Sequence, residues 1–175
     1  MSAFVRSILV GILILAGAAP SLAQTNIAIP TTYQVNMSGP RFGLTLLSDG
    51  NVAAINDRLK ENVRPLISQF GWQFEKQVYN GGGNGLAILS EWIPVIGGMD
   101  QGLFLPSLNW LVGARSSSGT EFGIGPNITP LGVGLVIAGG VTVRSGGVNI
   151  PLNFAVASSK SGVRVSIMTG FNVRK

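Results

Sequence analysis

This chain has no cysteine and no histidine, and charged residues make up only 11% of it. Without cysteine no disulfide can hold an exported domain, so stability must come from a hydrogen-bonded sheet and its packing. The same two absences remove the Ser-His-Asp triad, the thiol nucleophile and zinc sites built from those ligands. Histidine is also the most common general base near neutral pH. The cations are few and scattered, whereas a nucleic-acid surface normally carries a basic stripe, so no nucleic-acid partner is expected. Gly81-Gly82-Gly83 and Gly123-x-Gly125 are followed by no helix and no Lys-Ser/Thr pair, so neither is a phosphate loop. No motif asks for a cofactor or a metal, and no repeat of fixed period or βαβ alternation is present.

Glycine and apolar residues are abundant instead. Glycine is 25 of 175 residues, and the mean hydropathy is +0.42, high for so few charges. Arg6 precedes an apolar run over residues 8–19, and Ser21-Leu22-Ala23 places small residues where a signal peptidase cuts. Pro20 closes the run before it reaches the roughly 20 apolar residues of a spanning helix. Residues 1–23 therefore read as a cleaved signal peptide, 24–39 as an extended leader and 40–175 as one domain. Setting Arg6 aside leaves 11 Lys and Arg against 7 Asp and Glu, a mild net +4.

The last third of the chain sets the pattern. Leu131, Val133, Leu135, Ile137, Val141 and Val143 recur at every second position. After Ser145-Gly146-Gly147 the alternation resumes with Val148, Ile150, Leu152, Phe154 and Val156. It returns a third time with Val163, Val165, Ile167 and Phe171. Successive side chains on a strand point to opposite faces, so this is β-structure with one oily face and one small or polar face. Five further strands are expected, over residues 40–48, 66–79, 86–96, 103–115 and 120–126. In the second of these Phe70, Trp72, Phe74 and Val78 oppose Gln69, Gly71, Gln73, Glu75 and Gln77, and Lys76 falls on the apolar side. Between the first two strands the period changes. Val52, Ile55, Leu59 and Val63 have helical spacing, with Asp49 or Asn51 to cap the start and Pro65 past the end. A short amphipathic helix is expected within residues 49–65, its stripe covering one end of the sheet.

Eight strands joined by short turns imply antiparallel hairpins, which close as a membrane-type up-and-down barrel or pack as a soluble exported sandwich or small barrel. Strand lengths of about 10 to 15 residues exceed those of ordinary sheets and suit a membrane span. The polar face is Gly, Ala, Ser, Asn and Gln with single charges, which suits the filled interior of an eight-stranded barrel. Aromatics fall near strand ends: Phe42, Trp110, Phe122 and Phe171 toward one rim, Phe70, Trp72, Trp92 and Phe104 toward the other. Such girdles mark outer-membrane barrels. In this respect residues 40–175 resemble small bacterial outer-membrane β-barrels of the OmpX and OmpA transmembrane-domain class. Lys160, Gly162, Val165 and Ile167 look like the C-terminal assembly signal of that class, although the chain ends in Asn-Val-Arg-Lys rather than on an aromatic. The resemblance implies location in the outer membrane, contact with its lipid and insertion by the barrel-assembly machinery. It leaves the oligomeric state open.

The expected inner face carries Arg41, Glu75, Glu91, Arg115, Glu121, Arg144 and Arg164. Charges inside a barrel must pair or cost several kcal/mol each, so a polar network filling the interior is expected. A polar pore or headgroup site is the sharper alternative. Lipid-modifying barrels generally rely on a Ser and a His, so that chemistry does not carry over. A carboxylate pair drawn from Glu75, Glu91 and Glu121 could act as acid and base, but no motif supports it. The expected role is non-enzymatic: structural, surface-interacting or lipid-contacting. The alternative is a soluble exported β-protein that binds an apolar ligand or a partner protein.

Overall fold

The structure is a computed structural model, described here for residues 36–80 and 85–173. The expected signal peptide and nearly all of the leader lie outside the described residues. Eight strands alternate up and down: β1 (Gly39–Leu47), β2 (Leu66–Asn80), β3 (Ala87–Gly97), β4 (Leu105–Arg115), β5 (Thr120–Thr129), β6 (Gly132–Ser145), β7 (Val148–Ser159) and β8 (Gly162–Gly170). A two-residue strand, β9 (Asn172–Val173), continues the pairing with β7. Every strand pairs antiparallel with the next, and β1 also pairs with β8 from Arg41↔Gly170 to Leu47↔Arg164. The sheet is thus a closed eight-stranded barrel without a free lateral edge, which removes the hazard of unpaired strand edges.

Closing so few strands requires strong coiling, and glycine allows it where strands approach most closely. A Cβ on Gly43 would run into the carbonyl oxygen of Ile167, and one on Gly71 into that of Pro94. Glycine at such points is the usual device for bending a sheet on itself.

The helix α1 (Asp49–Leu59) lies in the connection from β1 to β2, at the end of the barrel where β1, β3, β5 and β7 finish. It is shorter than the 49–65 insertion suggested. Lys60 takes a left-handed backbone (φ 59°) and its N–H bonds the Asn56 carbonyl, while the Asn56 side chain accepts from the Val63 N–H at 2.8 Å. Asn56 therefore stops the helix before Pro65 can. Ser48, rather than Asp49 or Asn51, holds the N-cap position. The apolar stripe does cover the barrel end: Ile55 and Val63 pack with Leu47 and Ile67 in a small buried cluster, joined by Val52, Leu103, Leu105 and Leu131.

Apart from that cluster and a few buried residues such as Leu89, Val95, Leu111 and Val136, the polarity is turned inside out. Phe74, Leu135 and Ile167 are 54%, 51% and 50% exposed, while Glu75 is only 7% exposed. On every strand the large apolar residues expected on one face point outward, and the glycines, amides and most charged residues point inward.

The aromatic girdles need correction. Phe42 and Phe70, expected at opposite rims, are register partners across β1 and β2. Trp92 and Trp110, also expected at opposite rims, face each other across β3 and β4 and stack with ring centroids 5.4 Å apart and planes at 17°. Trp72 lies 6.5 Å from Phe74, which in turn faces Trp92. These rings make one outer patch over β1 to β4. Only Phe104, in the connection before β4, and Phe122 and Phe171, toward the opposite end, keep rim positions. Counting residues from strand ends ignores the register, and the register decides which rings meet.

Candidate functional site

Most of the interior charged residues gather toward the end of the barrel opposite α1. Arg115, the last residue of β4, is the hub. Its Nη1 donates to Glu75 Oε1 at 2.7 Å, its Nη2 to Glu75 Oε2, and its Nε to Glu121 Oε1 at 2.8 Å. Glu91 Oε1 lies 4.0 Å from Arg115 Nη2. The register explains the convergence. Glu75 and Glu91 are direct partners across β2 and β3, and Arg115 and Glu121 are partners across β4 and β5. Two carboxylates directly opposite each other repel, and the Arg115 fork, which holds one in a bidentate grip, offsets that.

Gln73 and Arg41 extend the cluster across the bore. Gln73 Nε2 donates to Glu91 Oε1 at 2.7 Å, and Arg41 Nε donates to Gln73 Oε1 at 2.9 Å. The other Arg41 nitrogens donate to the carbonyls of Pro40 (2.9 Å) and Met37 (2.6 Å), which draws the segment before β1 into the bore. Thr142 Oγ1 donates to Glu121 Oε1 at 2.9 Å. Five of the seven charged residues singled out in the sequence thus meet in one ionic plug. Gln73, Thr142 and Met37 complete it. Gln73 was visible on the polar face of its strand, but nothing in its spacing marked it as the bridge between Arg41 and Glu91.

The other two charges sit elsewhere. Arg144 is exposed near the end of β6 and donates to the Ser117 carbonyl at 3.3 Å, so it belongs to the rim and not to the interior set. Arg164, third in β8, lies toward the helix end. Its Nη2 donates to Asn127 Oδ1, Asn127 Nδ2 donates to Asn109 Oδ1 at 2.6 Å, and Asn109 Nδ2 reaches the Ile93 carbonyl at 3.2 Å. Thr45 and Ser166 share a 2.7 Å hydrogen bond beside this chain of amides. Between the plug and Arg164 runs a cavity of about 80 Å³.

Among the described residues, no group of three or more acidic, histidine or cysteine side chains could hold a metal ion, and no helix is long and apolar enough to cross a membrane. The second fact does not bear on strands. Fold and interior together define a class: a small closed antiparallel barrel with an apolar exterior and an ion-paired plug. No family model, curated protein or solved structure matches the chain, so no residue's role is carried over from a relative.

Proposed function

We propose that this chain is a non-enzymatic outer-membrane β-barrel whose outer wall is solvated by lipid and whose bore is partly filled by the Arg115 cluster. One observation carries the reading: most large apolar residues of the eight strands face outward, with only a few such as Leu89, Leu111 and Val136 buried within, and the buried charges lie inside. In water each large side chain left exposed would forgo about 1.5–3 kcal/mol of burial, and among hydrocarbon tails that loss vanishes. The strand lengths agree. Ten residues at roughly 3.3 Å each, tilted about 40°, rise about 25 Å, the height of the apolar band of such barrels. Closure also gives every central strand two neighbours, which a hydrocarbon solvent demands. An outer groove walled by Phe70, Trp72, Ile96, Leu108 and Ile128 is shaped for acyl chains. Lys76, exposed on the same face late in β2, has the long stem needed to bring its ammonium to an interface. The ion-paired cluster fills part of the bore, which favours a structural, surface-interacting or lipid-contacting role over solute passage.

Fractionation tests this. The full-length chain, expressed in a Gram-negative host, should stay with the outer membrane through high-salt and carbonate washing. It should also run differently on gels with and without boiling. Recovery in the soluble periplasmic fraction would point to the soluble exported barrel instead.

A further inference from the structure

Among the described residues, Arg164 is the one interior cation set apart from the plug. Asn127 is its hydrogen-bond partner, its Nε is buried with no acceptor, and among the described residues no carboxylate lies within ion-pair distance of it. A half-buried guanidinium held by one amide, its Nε buried without an acceptor, is left with hydrogen-bonding capacity to spare. It lines the interior cavity and also a second cavity of about 80 Å³ between α1 and the barrel rim; Gln69 and Ser107 line both as well.

The two sides of Arg164 differ in chemistry. Toward the plug the wall includes Glu91, Glu121 and Asn153, whose Oδ1 is a buried acceptor without a donor. Arg41 lines it too, so that side is polar and of mixed charge and suits water. Toward α1 the wall is mostly apolar, with Leu47, Ile55, Leu59, Ile67, Leu105 and Leu131, and Asn51, Gln69 and Ser107 as its polar members. Among the described residues, the only charged side chain there besides Arg164 is Arg58, exposed on the helix.

We infer that the space beneath α1 binds a carboxylate with a short apolar tail, its head on the Arg164 guanidinium and its tail among the leucines and isoleucines under the helix. A planar fork with a free Nε matches a carboxylate in geometry and charge. Each water-sized group needs about 10–15 Å³ of such space, so the cavity under α1 holds a tail of about five to eight carbons. Arg58 draws the anion to the mouth, and Glu91 and Glu121 keep the head from passing deeper. The site lies inside the barrel and goes beyond the proposed function: fractionation reads where the chain resides, whatever the cavity holds.

The test is titration of octanoate, labelled with ¹³C at its carboxyl, into the full-length chain folded in a nonionic detergent. A saturable resonance distinct from micellar octanoate is expected. R164Q should weaken binding about ten- to a hundred-fold, the range for losing a charged hydrogen-bonded contact. R144Q, at the opposite rim, should bind as the parent does. L131W fills the tail space while leaving Arg164 in place, and should abolish octanoate binding even if R164Q does not fold. Octanoate found only in the micelle would overturn the inference. So would octanol or acetate binding as tightly as octanoate, or unchanged binding by L131W.

Discussion

At the residue scale, Arg115 decides whether the interior is tolerable. Its side chain is 7% exposed, that of Glu75 1%, and those of Glu91 and Glu121 each 10%. Removing the cation leaves three carboxylates facing one another, with Arg41 bonded to Gln73 and to backbone carbonyls rather than to any of them. Breaking a buried pair in this way typically costs about 3–5 kcal/mol. Arg115→Met is therefore expected to lower stability by about that amount in urea unfolding of the folded chain in micelles. Arg144→Met, at an exposed rim position, should change it little. The facing of these residues was legible from the two-residue period alone, because a strand offers only two faces. Their grouping was not. Glu75 and Glu91 meet because β2 and β3 pair in one particular register, and a shift of two residues would keep both inside yet part them. Arg144 shows the same limit from the other side: its parity is inward, but its place at the strand end leaves it in the open.

At the element scale, the connection from β3 to β4 shows how the helix end is held. Asp100, in the 3₁₀ turn Met99–Gln101, accepts from the Ser68 hydroxyl at 2.7 Å and from the Ser68 N–H at 2.9 Å. Gln101 Oε1 accepts from the Arg64 N–H at 2.8 Å, and its Nε2 donates to the Leu66 carbonyl at 2.9 Å. The turn thus clamps the start of β2 where the chain leaves the helix. The Ser68 hydroxyl, and then its backbone N–H, hold the Asp100 carboxyl below its ordinary pKa. A group depressed in the folded state stabilises it above the unfolded pKa, and that stability is lost as pH falls through the folded value. The clamp should loosen only on acidification below the ordinary carboxylate range. Ser68→Ala should raise the Asp100 pKa toward its ordinary value, read by carboxyl-carbon NMR titration; an unchanged titration would show that the serine does not set it. Helix and strands were legible here because periods of 3.6 and 2 leave different traces. The helix terminus was not, since it depends on Asn56 satisfying two backbone N–H groups, a contact that no period reveals.

At the scale of the whole molecule, the outward face makes a prediction the interior cannot. Trp72, Trp92 and Trp110 lie in the patch over β1 to β4, each well inside its strand and between 41% and 47% exposed. Reconstituted with lipids brominated along the acyl chain, all three should be strongly quenched. Emission insensitive to acyl bromine, yet quenched by a water-soluble agent, would place the patch in water. Strand number could be anticipated from eight oily-faced segments joined by short turns, and closure was one of the two packings they allow. The distribution of rings could not, because it depends on the stagger between neighbouring strands. Closure has a further consequence in time. The seam joins the first strand to the eighth, and the Thr45–Ser166 bond spans 121 residues. As the chain folds, β1 can zip to the adjacent β2 at once, but its other neighbour, β8, lies far along the sequence and pairs late. A chain cut short before residue 162 would hold two raw flanks open at once, inviting attachment to a sister molecule. Completing this fold therefore turns on whether its first and eighth strands find each other.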